Sequence, residues 1–196
     1  MEWNGFELKI CSTPEDYLQI IMLRHRSYIS EGKAHADALP QVFSDSFDTR
    51  ATLGMMTMGG NVIGSVRVTI HNDADPTWYG RYITDPSILP PQQAYTEASR
   101  LCVSPEHQGT KISFPLAASM IHAGIVTGRR YMIGGADDIR VGIWKKCGAS
   151  EVGLQYTNAQ LGNITHHLLI MDLDDVKRGK GVDSRCYAVL EQLLQH

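Results

Sequence analysis

No stretch of this chain approaches the ~18–20 uninterrupted apolar residues that a membrane helix needs. The longest apolar region, Pro115–Val126, is broken by Ser119 and His122. The opening MEWNGFELK has no basic start followed by an apolar block, so it does not read as a secretory signal. Cysteine is sparse: Cys11, Cys102, Cys147 and Cys186 lie far apart, and no two form a CxxC pair. That spacing fits reduced thiols in a cytosol better than a zinc site or a disulfide framework. An excess of positive charge is missing too. With 18 Lys and Arg against 21 Asp and Glu, the formal net charge is −3, which leaves no broad basic face for nucleic acid. Internal repeats and low-complexity segments are absent.

What remains is an ordinary globular composition, 43% hydrophobic and 20% charged. A chain of 196 residues makes one domain, residues 1–196, with a sizeable core. Phe6, Leu8 and Ile10 alternate as in a half-buried strand. Ser12-Thr13-Pro14-Glu15-Asp16 predicts a helix start, with a hydroxyl cap, an early proline and acids at the positive end. That helix runs to about Ile29. Residues 31–46 are irregular. Strands near 50–58 and 61–71 meet at Gly59-Gly60, a hairpin turn. Four of the eight prolines fall in 72–94, a long loop expected to be functional.

A strand at 95–103 precedes a helix that starts at Ser113 and ends near Thr127. A short strand at 131–133 leads through a Gly134-Gly135 turn to a helix over Asp137–Cys147, closed by Gly148. Strands near 151–157 and 164–173 follow, then a helix over about 182–195. The order predicts a mixed α/β fold, antiparallel at first and with crossover helices later.

Four charged positions stand out. Arg24 falls within the helical arc of Tyr17, Ile20, Ile21 and Tyr28. Buried there, it needs an acidic partner, and Asp45 and Asp48 are nearest; the alternative is an arginine snorkelling to solvent from the stripe edge. Glu97 and Arg100 sit in an otherwise apolar strand and face opposite sides, so they meet only across a bulge. A carboxylate there can accept a proton directly or through water; the alternative is a solvated ion pair on an edge strand. Arg67 shares a polar face with Ser65 and Thr69 and reads as a surface residue, while Val62, Val66, Val68 and Ile70 form the buried face. His166 and His167 are adjacent and point apart, so they cannot both hold one metal; one is read as buried, one as exposed, both structural, and no metal is expected.

Taken in order, Leu23-Arg24-x-x-x-Tyr28, Asp45-x-x-Asp48, Ser65-Val66-Arg67 and Glu97-x-Ser99-Arg100-x-x-Val103 resemble the motif series of the acyl-homoserine lactone synthases. Trp144-Lys-Lys-Cys-Gly148-Ala resembles a segment late in acetyltransferase (GNAT) domains. The segment Glu31-Gly-Lys-Ala-His35 lacks the tryptophan that the lactone synthases carry where they bind S-adenosylmethionine. His107-Gln-Gly-Thr-Lys-Ile112 is poorer in glycine than a coenzyme A pyrophosphate loop. The chain is most similar to a sister group, the long-chain N-acyl amino acid synthases.

The resemblance implies a GNAT-like mixed sheet flanked by helices. It implies transfer of a fatty acyl chain from acyl carrier protein to the α-amino group of an amino acid, with tyrosine as one candidate. Acyl-coenzyme A is the less favoured donor, and no permanently bound cofactor is implied. Glu97 becomes the general base, and main-chain N–H groups around Cys102 and Val103 the oxyanion site. Arg24, Asp45, Asp48, Arg67 and Arg100 become a network that orders 31–48 over the substrate, or some of them touch it directly; Tyr28 and Ser99 join them in binding substrate, and Arg100 belongs with Glu97 to the catalytic set. Lys111, Arg129, Arg130, Lys145 and Lys146 are the basic residues expected to dock an acidic carrier protein in the cytoplasm. The other readings are a lactone synthase using S-adenosylmethionine and a GNAT-fold module that binds an acyl ligand without turnover.

Overall fold

The computed structural model describes residues 2–3, 5–72 and 75–195. Its strands are β1 (Glu2–Trp3), β2 (Phe6–Ile10), β3 (Ala51–Met58), β4 (Asn61–Ile70), β5 (Tyr95–Val103), β6 (Tyr131–Asp137), β7 (Ser150–Asn158) and β8 (Ile164–Asp172). The helices are α1 (Pro14–Ser30), α2 (Ser113–Val126), α3 (Val141–Lys146), α4 (Leu173–Lys177) and α5 (Ser184–Leu194). The strands form one sheet in the order β1-β2-β3-β4-β5-β6-β8-β7. All pairs are antiparallel except β5–β6, which α2 joins as a crossover. The expected mixed α/β architecture is present.

Thr13 caps α1 by accepting from the Asp16 N–H, and Pro14 occupies the first turn. Gly59 and Gly60 take φ of +56° and +80°, which makes the β3–β4 hairpin a glycine turn. α2 has its apolar residues on nearly every side because it is sandwiched: Leu116, Ala117, Met120 and Ile121 are fully buried between the sheet and α5. α1 covers the other face of β3, β4 and β5, and the long segment between β4 and β5 covers the rest of that face with Trp78 and Tyr79. Within that predicted loop, 73 and 74 lie outside the described residues; the remainder includes three short 3-10 turns.

Four local expectations need correction. Gly134 and Gly135 lie inside β6, which extends to Asp137, so the next helix is only six residues long. A Cβ on Gly135 would collide with the Tyr156 hydroxyl, and that close approach is why glycine stands mid-strand. The last helix is preceded by the short α4. Ile70 is 42% exposed, whereas Arg67 is fully buried, because α1 and the loop bury the second face of β4 as well.

Candidate active site

β5 carries the site because its two neighbours treat it differently. Against β4 it pairs along most of its length, with a register shift between Ser65 and Arg67. Arg100 takes φ of +57° at this bulge, a conformation costing about 1–2 kcal/mol that the surrounding structure must hold. Against β6 the pairing ends at Ala98–Gly134, although β5 runs on to Val103 and β6 to Asp137. The strands part there and open a cleft of about 90 Å³ through the sheet. On the α1 face its walls include Tyr28, Lys33, Arg100, Asp137, Arg140 and His166. On the α2 face they are apolar: Met120, Met132, Trp144, Leu169 and Met171.

Beside the cleft lies a buried charge network. Arg24 Nη1 donates to Asp48 Oδ2 at 2.7 Å, with both side chains essentially inaccessible. Arg67 Nη1 donates to Asp45 Oδ1 at 2.6 Å and Asp48 Oδ1 at 3.0 Å, and its Nε donates to Ser99 Oγ at 2.8 Å. Arg100 Nη2 donates to Asp45 Oδ2 at 2.9 Å. Burial pushes the Asp45 and Asp48 carboxyls up, but the guanidinium groups of Arg67, Arg100 and Arg24 pull them further down, so both stay below the ordinary aspartate value. The network ties 45–48 to α1, β4 and β5. Burial raises the Tyr28 hydroxyl strongly, which keeps its proton in place.

The bulge that could join Glu97 to Arg100 exists, yet the two do not meet: Arg100 turns to Asp45. Glu97 is 1% exposed, and its partners lie elsewhere. Oε2 accepts from His71 Nε2 at 2.7 Å and from the Trp78 N–H at 2.6 Å. Oε1 accepts from the Tyr79 N–H at 2.9 Å. Glu97 therefore anchors the 76–79 segment from behind the cleft wall, and Oε1 accepts no second hydrogen bond among the described residues. His71, Trp78 and Tyr79 escaped the sequence reading. The signal for His71 was there, because Ser65, Arg67, Thr69 and His71 continue one period-2 polar face.

The expected oxyanion donors divide. Ser104 N–H bonds to Ile63 O at 2.8 Å, so ladder alternation commits the Cys102 N–H to β4 and turns the Val103 main chain toward the open side. The basic residues do not form one patch. Lys111 and the Arg129–Arg130 pair lie at opposite ends of α2, whose 14 residues span about 21 Å. Arg129 Nη2 donates to His71 O, Arg130 pairs with Asp172, and Lys145 pairs with Glu151. Lys111 and Lys146 are exposed and form no ion pair among the described residues.

His166 is buried and His167 partly so, the latter between Asp138 and Glu151 at 2.6 and 2.9 Å. Among the described residues, no three His, Cys, Asp or Glu side chains converge as a metal site. No helix among them is long and apolar enough to cross a membrane.

The family model described as "Acetyltransferase (GNAT) domain" matches residues 23–117. No curated protein matches the chain. Among solved structures, FeeM, an N-acyl amino acid synthase from uncultured soil microbes, superposes with a TM-score of 0.70 at 10% identity, over 89% of this chain and 94% of that one. The coenzyme A-dependent acyl-homoserine lactone synthase BjaI gives 0.65 at 16% identity over 96% and 100%. The acyl-homoserine lactone synthase LasI gives 0.64 at 14% over 89% and 95%. With its sheet parted between β5 and β6 and α2 as the crossover between them, the chain has the GNAT fold.

Proposed function

We propose that the protein is an N-acyltransferase that moves a fatty acyl group from a thioester to the α-amino group of an amino acid. The donor is acyl carrier protein, which sets the reaction in the cytosol, and tyrosine is a candidate acceptor. The observation that carries this reading is the through-sheet cleft, polar at its α1 mouth and apolar at its α2 end. The polar and apolar ends of this cleft match the two ends of an amphiphilic product, and the alkyl chain would lengthen the space of about 90 Å³ by displacing Met120, Met132 and Met171, whose side chains are flexible. The amine attacks the thioester carbonyl directly, at the parting of β5 and β6. The Val103 N–H faces that parting and stabilises the developing oxyanion. Glu97, whose Oε1 accepts a single hydrogen bond among the described residues, acts as a base through an intervening water. The network of Arg24, Asp45, Asp48, Arg67 and Arg100 holds the 45–48 segment and Ser99 against the mouth. Tyr28 closes one side.

Mass spectrometry of organic extracts from cells expressing the protein tests the reading. N-acyl amino acids are expected; acyl lactones or no new lipid would overturn it. With purified protein, Glu97→Gln should lower turnover by roughly 10²-fold. Turnover near wild type would remove Glu97 from the chemistry.

A further inference from the structure

Amide formation from a thioester and an amino acid has a fixed proton balance. The acceptor enters as an ammonium with three N–H bonds, and the amide keeps one. One of the two released protons ends on the sulfur of the leaving thiol and the other in solvent. Glu97 lies behind the cleft wall with three donors already on its oxygens, so it is badly placed to serve the sulfur as well.

The titratable side chains that line the cleft leave one candidate. Lys33 is committed to Glu31 and Asp137, Arg100 to Asp45, and Arg140 to Glu31 and Asp137, so Asp137 is held by Lys33 and Arg140. Tyr28 keeps its proton. His166 is different. It projects from β8 between its cross-strand partners, Asp137 on β6 and Tyr156 on β7. Its Nδ1 lies 2.8 Å from the Ile164 carbonyl oxygen, and a carbonyl can only accept, so the proton sits on Nδ1. Nε2 therefore presents its lone pair, with no hydrogen-bond partner among the described residues. The ring is fixed by stacking on Tyr156 at 5.4 Å and 21°, and Tyr156 stacks in turn on Tyr82 at 4.4 Å and 25°.

Resting on the acyl-transfer reading, we propose that His166 is a catalytic residue whose Nε2 takes the first proton from the acceptor's ammonium and returns it to the thiolate sulfur as the C–S bond breaks. The lone pair freed on nitrogen forms the C–N bond, and the C–S electron pair leaves on sulfur. Glu97 takes the second proton, from the nitrogen of the tetrahedral intermediate, and passes it through water to solvent. Burial lowers the imidazole's proton affinity, and Lys33 and Arg140 lower it further; the Ile164 carbonyl and Asp137 act in the opposite direction. The result is an imidazole that rests neutral at pH 7. Asp137, its neighbour on β6, balances the imidazolium that forms.

The test uses dodecanoyl-acyl carrier protein, a panel of free amino acids and two variants. His166→Phe keeps a ring for the Tyr156 stack and removes both nitrogens. It should lower kcat by about 10²-fold with the acceptor KM within about threefold of wild type. His166→Ala opens a space beside Tyr156, and added imidazole should restore its turnover at least about tenfold, an effect that a purely packing role cannot produce. Near-wild-type kcat in His166→Phe, or loss in both variants without imidazole rescue, overturns the role of His166 and leaves the acyl-transfer reading standing. Wild-type protein that acylates no amino acid overturns that reading itself, and the role of His166 with it.

Discussion

Along β4, neighbouring residues are buried by different means. Val66 and Val68 face α2 and join one apolar cluster with Leu116, Met120 and Ile121. Arg67, between them, faces α1 and is as inaccessible as they are, but two aspartates and a serine surround it. The apolar face gains stability from area alone, at roughly 25 cal/mol per Å², and tolerates many residues of similar volume. The charged face must recover the cost of desolvating three guanidinium groups and two carboxylates through geometry. One face is thus forgiving and the other exacting, and the cleft between β5 and β6 joins them. In the proposed reaction, the acyl chain would need only the forgiving side and the reacting groups the exacting one.

The largest expected effect breaks the exacting face. Arg24→Ala leaves Asp48 buried without one of its two guanidinium partners. It should cost about 3–5 kcal/mol, read as a lower urea midpoint at unchanged slope. On the opposite face, Met120→Leu should cost less than about 1.5 kcal/mol. Comparable losses in the two variants would erase the distinction between the faces.

Acid should separate the faces next. Asp45 and Asp48 have folded-state pKa values below their unfolded value of about 3.9. Groups shifted in that direction stabilise the fold above the unfolded value. Their contribution is lost as pH falls through the folded values. The urea midpoint should therefore begin to drop near pH 4 and continue downward. The drop should be shallower in Arg24→Ala, where Asp48 has lost one of the guanidinium groups that lower it. Met120→Leu should follow the wild-type pH curve. Identical curves for wild type and Arg24→Ala would place the acid-labile groups outside this network.

How far each face can be read from sequence follows the same division. The apolar face announces itself by periodicity: Val66 and Val68 were legible, as were the amphipathic α1 and the glycine hairpin, whereas Val62, read onto the same face, packs with Ile20, Leu23 and Tyr28 under α1 because the β3–β4 register shifts between Met56 and Thr57. Arg24 was legible because a helix displays its arc, and its arc is apolar. Arg67 by pattern alone reads as surface, since alternation cannot tell a solvated polar face from one covered by a distant segment. The Trp78–Tyr79 main chain was illegible for a related reason. Its bonds to Glu97 join residues 18 and 19 apart, through backbone N–H groups that carry no side-chain signature. Asp137 was misplaced into a helix because Asp-Asp before an apolar run is also a good cap. The tautomer of His166 depends on a carbonyl of its own strand and has no trace in composition.

The smallest effect concerns the rim, where neither face's physics applies. Acyl carrier proteins are acidic, and this chain has a net charge of −3, so electrostatic docking needs a local patch of opposite sign. Arg129, Arg130 and Lys145 are tied to the chain's own acceptors. Lys111, just before α2, and Lys146, at the end of α3, remain uncommitted. Both are exposed, so each contributes little alone and is screened by salt. Reversing the two to glutamate should raise the apparent KM for acyl carrier protein by a few-fold, and added salt should produce the same rise with wild type. Neither change should affect turnover of a small acyl-pantetheine thioester, which has no protein surface to dock. An equal rise with both donors would assign the lysines to the cleft or the fold. No rise with either would put the carrier protein on another surface, leaving Lys111 and Lys146 as solvated helix-end charges.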